Sequence, residues 1–261
     1  MFQNLQHHPT ITQAQHRALA AISNTDLSTL ADELLGRPRR DCTAAFAFGS
    51  HFHTATLEPH LFEPTNAHDP ADHRQRQAAA QLATAVRRRR YPRHLIYTSS
   101  GQAEQSYTAT HEPTGLLVKA RPDLLIDSPK RQRRTVVDFK TTSCRDLAQF
   151  LTTVEQYGYD RQGAFYADVL QAQRVVLIAV QKTRIKAFGQ PLKDQEPQVW
   201  VVELTAGQMD SGRKKYGKLL RCAAEQRQRR QSGGQLATSL AQDFGRTTLP
   251  LNNPTRHFTA A

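Results

Sequence analysis

The 261-residue sequence predicts an α/β (α+β) fold: a central mixed sheet, including an antiparallel meander, flanked by helices. Three observations predict it. Helical patterns open and close the chain and also separate two groups of strand-like segments, an order that lays helices against a sheet. Residues 104–140 alternate polar and apolar positions between turn signals, as antiparallel strands do. Residues 175–180, Val175-Val176-Leu177-Ile178-Ala179-Val180, form an unbroken apolar run of strand length, suited to a strand covered on both faces.

The elements follow in order. Residues 28–36 read as a short helix, with Leu30, Leu34 and Leu35 on one face and Gly36 and Pro38 as stop signals. Asp41 can cap a second helix that runs to Glu58 and is ended by Pro59. In it Phe46, His53 and Leu57 fall at helical spacings, and Gly49 one turn before His53 allows close packing. Residues 71–90 are rich in Ala, Gln and Arg and read as a long exposed helix, stopped before Pro92. The meander takes residues 104–110, 116–121, 123–126 and 135–140, with turns at 112–115 and 128–134. Residues 146–157 and 161–172 are helical in pattern, divided by Gly158. The buried run 175–180 pairs with the alternating segment 198–204, and residues 209–228 form a last helix. The N-terminal residues around His7, His8 and Pro9 read as a loose end. This divides the chain into an N-terminal helical segment, 1–40, a main domain, 41–231, and a flexible tail, 232–261.

Composition narrows the function. Thirty-five Lys plus Arg against 23 Asp plus Glu give a formal charge of +12, which favours a polyanionic partner. No run approaches the roughly 20 apolar residues of a membrane span, so no membrane role is expected. No secretory leader is visible, and the three cysteines, Cys42, Cys144 and Cys222, are widely spaced without a CxxC pair. A disulfide framework or zinc ribbon is therefore not expected, and a cytoplasmic location with reduced thiols is.

The chemistry concentrates in Arg121-Pro122-Asp123 and Val137-Asp138-Phe139-Lys140. Asp138 and Lys140 are two apart on a strand and share one face, while Val137 and Phe139 face the core. An antiparallel hairpin brings Asp123 beside Asp138. Two adjacent carboxylates repel unless a cation lies between them, and a hard divalent ion such as Mg²⁺ or Mn²⁺ takes oxygen ligands. The tripeptide by itself better suits a surface ion pair, with Asp123 in a turn; the Pro122-Asp123 hairpin partner evens the two readings.

Asp123…Asp138-x-Lys140 resembles the PD-(D/E)xK nuclease pattern, and the words around it resemble one branch, the phage-type exodeoxyribonuclease VIII (RecE-like) nuclease domain. Four further segments carry the resemblance: Gly49…His53…Leu57-Glu58-Pro59; Ser100-Gly101…Glu104…Ser106; Thr114-Gly115…Arg121-Pro122-Asp123; and Tyr157…Tyr159…Gln162…Tyr166. Together they cover roughly residues 44–182, in the family's order. The resemblance implies a restriction-endonuclease-like core and a Mg²⁺- or Mn²⁺-dependent exonuclease. It implies digestion of double-stranded DNA ends from 5′ to 3′, in phage-type recombination inside a bacterial host. A single-strand annealing partner and a homo-oligomeric ring are implied as well. By the same resemblance, His53, Asp123, Asp138 and the Phe139 carbonyl would hold or orient metal. Lys140 would contact the attacking water or the scissile phosphate, and Glu104 would hold a second metal or place the water. Gln162 and Tyr166 would support the site or the DNA end.

Residue chemistry alone leaves more room. His53 also suits a core histidine and competes with His51, Gln162 with Tyr166 also suits packing, and Glu104 rests on the resemblance. The densest basic run, Arg87, Arg88, Arg89 and Arg90, is assigned to the DNA backbone, with a solvated helix end as the alternative. An inactive DNA-binding scaffold and an endonuclease or nickase of the same superfamily remain the alternative functions.

Overall fold

The structure, a computed structural model, describes residues 1–38, 41–63, 69–98, 101–128, 130, 132–182 and 196–231. Its elements are β1 (Phe2–His8), α1 (Gln13–Ala18), α2 (Asn24–Leu34), α3 (Thr43–Leu57), a short 3₁₀ turn (Pro59–Leu61), α4 (Pro70–Arg88), α5 (Arg90–Ile96), β2 (Gly101–Ala103), β3 (Ser106–His111), β4 (Leu116–Ala120), β5 (Leu124–Ser128), β6 (Arg133–Thr142), α6 (Leu147–Gln156), α7 (Tyr159–Leu170), β7 (Arg174–Gln181), β8 (Val199–Glu203) and α8 (Ala206–Gln231). The expected tail, 232–261, lies outside the described residues.

The main sheet has five strands in the order β2-β5-β6-β7-β8. It is mixed: β6 and β7 run parallel, joined through α6 and α7, and the other pairs are antiparallel. The pleat of β6 sorts its side chains between two cores. Val137 and Phe139 face Phe52 and Ala55 of α3 and Leu82, Ala83 and Val86 of α4. Val136 faces the opposite layer, with Phe150 of α6, Phe165 of α7 and Leu219 and Leu220 of α8. The result is a helix–sheet–helix sandwich, and each fully buried Leu or Phe contributes roughly 1.5–3 kcal/mol by leaving water.

The meander is not one sheet. Strands β3 and β4 leave the main sheet and join β1 in a separate three-stranded sheet, β1-β3-β4. The chain crosses out at Glu104-Gln105 and returns at Arg121-Pro122-Asp123. Pro122 lacks a ladder donor, and Glu104 takes a positive φ of 50°, so both crossings break strand geometry. The N-terminus is likewise not a loose end. Residues 2–8 form β1, held by its pairing with β3 and by Phe2, buried against Phe165 and Tyr216. Most of its other side chains are exposed, and the backbone is irregular between Gln3 and Gln6, which erases the alternation that marks a strand.

Two glycines differ from each other in role. A Cβ at Gly212 of α8 would collide with the Asp160 carbonyl and Ala164 of α7, so that glycine lets the two helices touch. A Cβ at Gly49 would meet nothing within 4 Å, so the close packing expected there is absent. No helix among the described residues is long and apolar enough to cross a membrane.

Gly212→Ala should therefore lower stability by roughly 1–3 kcal/mol through overpacking. Gly49→Ala should leave it unchanged or raise it by about 0.5–1 kcal/mol, because glycine within a helix costs about that much. Urea denaturation of the two variants checks the contrast.

Candidate active site

The site forms where the two sheets join, at the carboxyl-terminal half of β6. Leu124 pairs with Val137 in the β5–β6 hairpin, which puts Asp123, one residue earlier, alongside Asp138. Asp123 is buried, and its Oδ2 accepts a hydrogen bond from the Phe139 amide at 2.6 Å. Ala103 of β2 pairs with Leu124 of β5, so Glu104 follows directly against Asp123, its amide donating to the Asp123 carbonyl at 3.0 Å. A non-glycine residue at positive φ costs on the order of 1–3 kcal/mol, and such strain gathers at functional sites.

Helix α3 supplies His53 from the other layer. Its Nε2 lies 3.0 Å from the Phe139 carbonyl oxygen. Its Nδ1 lies 3.4 Å from Asp123 Oδ1 and 3.5 Å from Glu104 Oε1. The neighbouring His51 points instead to Asp72 of α4, at 2.8 Å. Each carboxylate thus spends one oxygen on a fixed donor and turns the other toward one imidazole nitrogen. Asp123 spends its Oδ2 on Phe139; Glu104 spends its Oε2 on the Arg121 guanidinium, with Nε at 3.1 Å.

Asp138 and Lys140 lie on the α7 side of β6. Lys140 Nζ sits 2.6 Å from Asp138 Oδ2, 3.0 Å from Gln162 Oε1 and 4.9 Å from the centroid of the Tyr159 ring. Among the described residues the compensation for buried Asp138 comes from the Lys140 ammonium. Tyr166 lies near the same pair: burial, then the Asp138 charge, holds its phenol well above the usual range, opposed by a hydrogen bond with Gln162.

Electrostatics follow from the crowding. Burial alone would lower the His53 pKa, but the Asp123 and Glu104 carboxylates outweigh it and push it up to about 9. Burial, and then the charges of Asp138 and Glu104, raise Asp123 above the usual carboxylate range, against the opposing pull of His53. Burial disfavours the Lys140 ammonium, yet Asp138 and then Asp123 prevail and raise it, so it stays protonated.

The donor set fits a divalent cation. Ligand atoms of His53, Glu104 and Asp123 lie within 4.8 Å of one another, and two carboxylate oxygens with an imidazole nitrogen suit such an ion. The Phe139 carbonyl, expected beside the metal, lies against the other ring nitrogen, Nε2, at 3.0 Å. Glu104 thus stands inside the ligand cluster, while Asp138, expected to hold metal, lies outside it and faces Lys140.

The arginine run divides. The Arg87 Nη1 turns inward and donates to the carbonyls of Ala55 and Thr56, groups that the end of α3 leaves unpaired. Arg88, Arg89 and Arg90 are exposed at the break between α4 and α5, and Arg88 lies 3.2 Å from Glu196. Sequence reasoning gave no role to Arg121 or Tyr159. Both stand in the motif segments, but spacing does not reveal whom they touch.

The fold and site define a PD-(D/E)xK-type domain. The chain belongs to the family described as "PDDEXK-like domain of unknown function (DUF3799)", whose model matches residues 18–235, and so to the PD-(D/E)xK nuclease superfamily. A crystal structure from Eubacterium rectale, described as "Putative exonuclease", is similar over 95% of this chain and 96% of its own, at 16% identity and a TM-score of 0.55. A phage related exonuclease from Haemophilus somnus 129PT aligns over 81% of this chain and 97% of its own, at 10% identity and a TM-score of 0.40. No curated protein matches.

Because His53 must shed a proton to ligate metal, cation binding should release protons near neutral pH. Calorimetric Mn²⁺ titrations in two buffers of different ionisation enthalpy should show that release, with apparent affinity falling as pH drops from 8 to 6. A heat independent of buffer would contradict the raised His53 pKa.

Proposed function

We propose that this chain is a divalent-metal-dependent exodeoxyribonuclease that hydrolyses double-stranded DNA from its ends, 5′ to 3′. The observation that carries this reading is the placing of the Asp138–Lys140 pair beside the His53, Glu104 and Asp123 cluster. Family membership supports the phosphodiesterase chemistry, and the exonuclease described for Eubacterium rectale lends support to end digestion. The direction of digestion, a phage-type recombination setting in a bacterial cytoplasm, an annealing partner and a ring-shaped oligomer come with the motif resemblance.

His53, Glu104 and Asp123 would hold a divalent cation, which would supply charge neutralisation for the phosphate and ease ionisation of the attacking water. The chain's own residues do the rest. Lys140, kept protonated by Asp138, acts as a cation toward the phosphate and not as a base. Gln162 and the Tyr159 ring fix the direction of its ammonium. Asp138 answers the Lys140 charge while the site is empty of substrate, so an incoming phosphate competes with a carboxylate already in place. Arg88, Arg89 and Arg90 hold the phosphate backbone away from the reacting bond, adding affinity without reading sequence.

End-labelled linear duplex with Mg²⁺ should lose label from the 5′ end first, and covalently closed circular duplex should stay intact. Lys140→Gln and Asp123→Asn should each slow digestion by about 10²–10³-fold or more, the scale of losing one charge-stabilising group. Cutting of closed circles would replace the exonuclease reading with an endonuclease one, and equal inactivity of wild type and variants would leave a binding scaffold.

Replacing Arg88, Arg89 and Arg90 by Ala should flatten the salt dependence of DNA binding by about 0.9 for each phosphate that is no longer neutralised. Arg87→Ala should leave that slope alone and instead cost roughly 1–3 kcal/mol of stability, because it strands buried carbonyls. Binding isotherms across salt and urea melts separate the two.

A further inference from the structure

Glu104 occupies an exacting position. It sits on the crossing between the sheets at a φ of 50°, and its carboxylate faces Asp123, a like charge that favours swinging away. What restrains it is Arg121, on the other crossing. Arg121 Nε donates to Glu104 Oε2 at 3.1 Å, which leaves Oε1 for the cluster. The guanidinium is itself anchored: Nη1 donates to Ser106 Oγ at 2.7 Å and reaches the Ile11 carbonyl at 3.4 Å. A planar fork held at two points fixes direction in a way a flexible ammonium does not. Nearby cations do not compete for the role. Lys119 Nζ is taken by the carbonyls of Arg17 and Leu19, each at 2.9 Å. His16 is buried with Nδ1 unpartnered among the described residues, and burial, then Lys119 and Arg121, lower its pKa to about 4, so it is neutral.

We infer that Arg121 is a positioning residue for the metal site: it aims the Glu104 carboxylate at His53 and Asp123 and thereby sets the affinity for a divalent cation. The small sheet, through Ser106, and the segment between β1 and α1, through Ile11, become supports of that site. The inference rests on the reading of His53, Glu104 and Asp123 as metal ligands.

The test is Mn²⁺ binding to the full chain without DNA, read from the electron paramagnetic resonance of free Mn²⁺. Arg121→Gln should weaken binding roughly 10- to 100-fold, the usual scale for losing a group that orients a ligand. Glu104→Gln should weaken it at least as much, and the double variant should be no weaker than Glu104→Gln alone, because Arg121 acts through that carboxylate. Ser106→Ala, which removes one anchor and keeps every charge, should weaken binding several-fold and decides the matter if Arg121→Gln does not fold. Wild-type affinity in the variant that folds, or losses that multiply in the double variant, would overturn the inference. A wild-type chain that binds no Mn²⁺ would overturn the metal site as well, which separates the two failures.

Discussion

Three carboxylates share one small, poorly solvated space: Asp123 and Asp138 are buried, and Glu104 is half-buried. Repulsion among them is the constraint that the surrounding structure answers. At this depth an uncompensated charge costs several kcal/mol, so each needs a partner. Asp123 takes the Phe139 amide, Glu104 the Arg121 guanidinium and Asp138 the Lys140 ammonium. One oxygen each of Asp123 and Glu104 is left facing His53, whose raised pKa records the shortfall of positive charge. A divalent cation bound there would supply the positive charge that the imidazolium otherwise provides.

The division of the strands into two sheets makes that geometry possible. In a continuous meander Glu104 and Asp123 would be ladder residues with fixed up-and-down alternation. At the crossings they escape it, so the carboxylates just after β2 and just before β5 converge at one point beside β6. The cost is a strained backbone at Glu104 and a lost donor at Pro122. The helical layers complete the site from opposite sides, α3 with His53 and α7 with Gln162 and Tyr159.

Much of this was legible in the sequence where the rules are local. The hairpin that pairs Asp123 with Asp138 follows from turn and strand spacing, and the shared face of Asp138 and Lys140 from the period of two. Burial of Val137 and Phe139 follows from the same period. What depended on long-range partners was not legible. Strand β1 keeps most side chains exposed and owes its place to backbone pairing and Phe2. The parting of β3 and β4 from β5 leaves the alternation of each strand unchanged. Arg87 and Arg88 look alike in a basic run, yet one caps the end of α3 and the other faces solvent. Motif order, not spacing, pointed to Glu104, because its approach to Asp123 depends on the β2–β5 register.

On this reading the crowded carboxylates and one imidazole would hold a single cation at the joint of the sheets. Anomalous diffraction from crystals grown with Mn²⁺ tests it most directly. A peak is expected within roughly 2.0–2.2 Å of ligand atoms of His53, Glu104 and Asp123. A peak held by Asp138 without His53 and Glu104, or none at the joint, would contradict it.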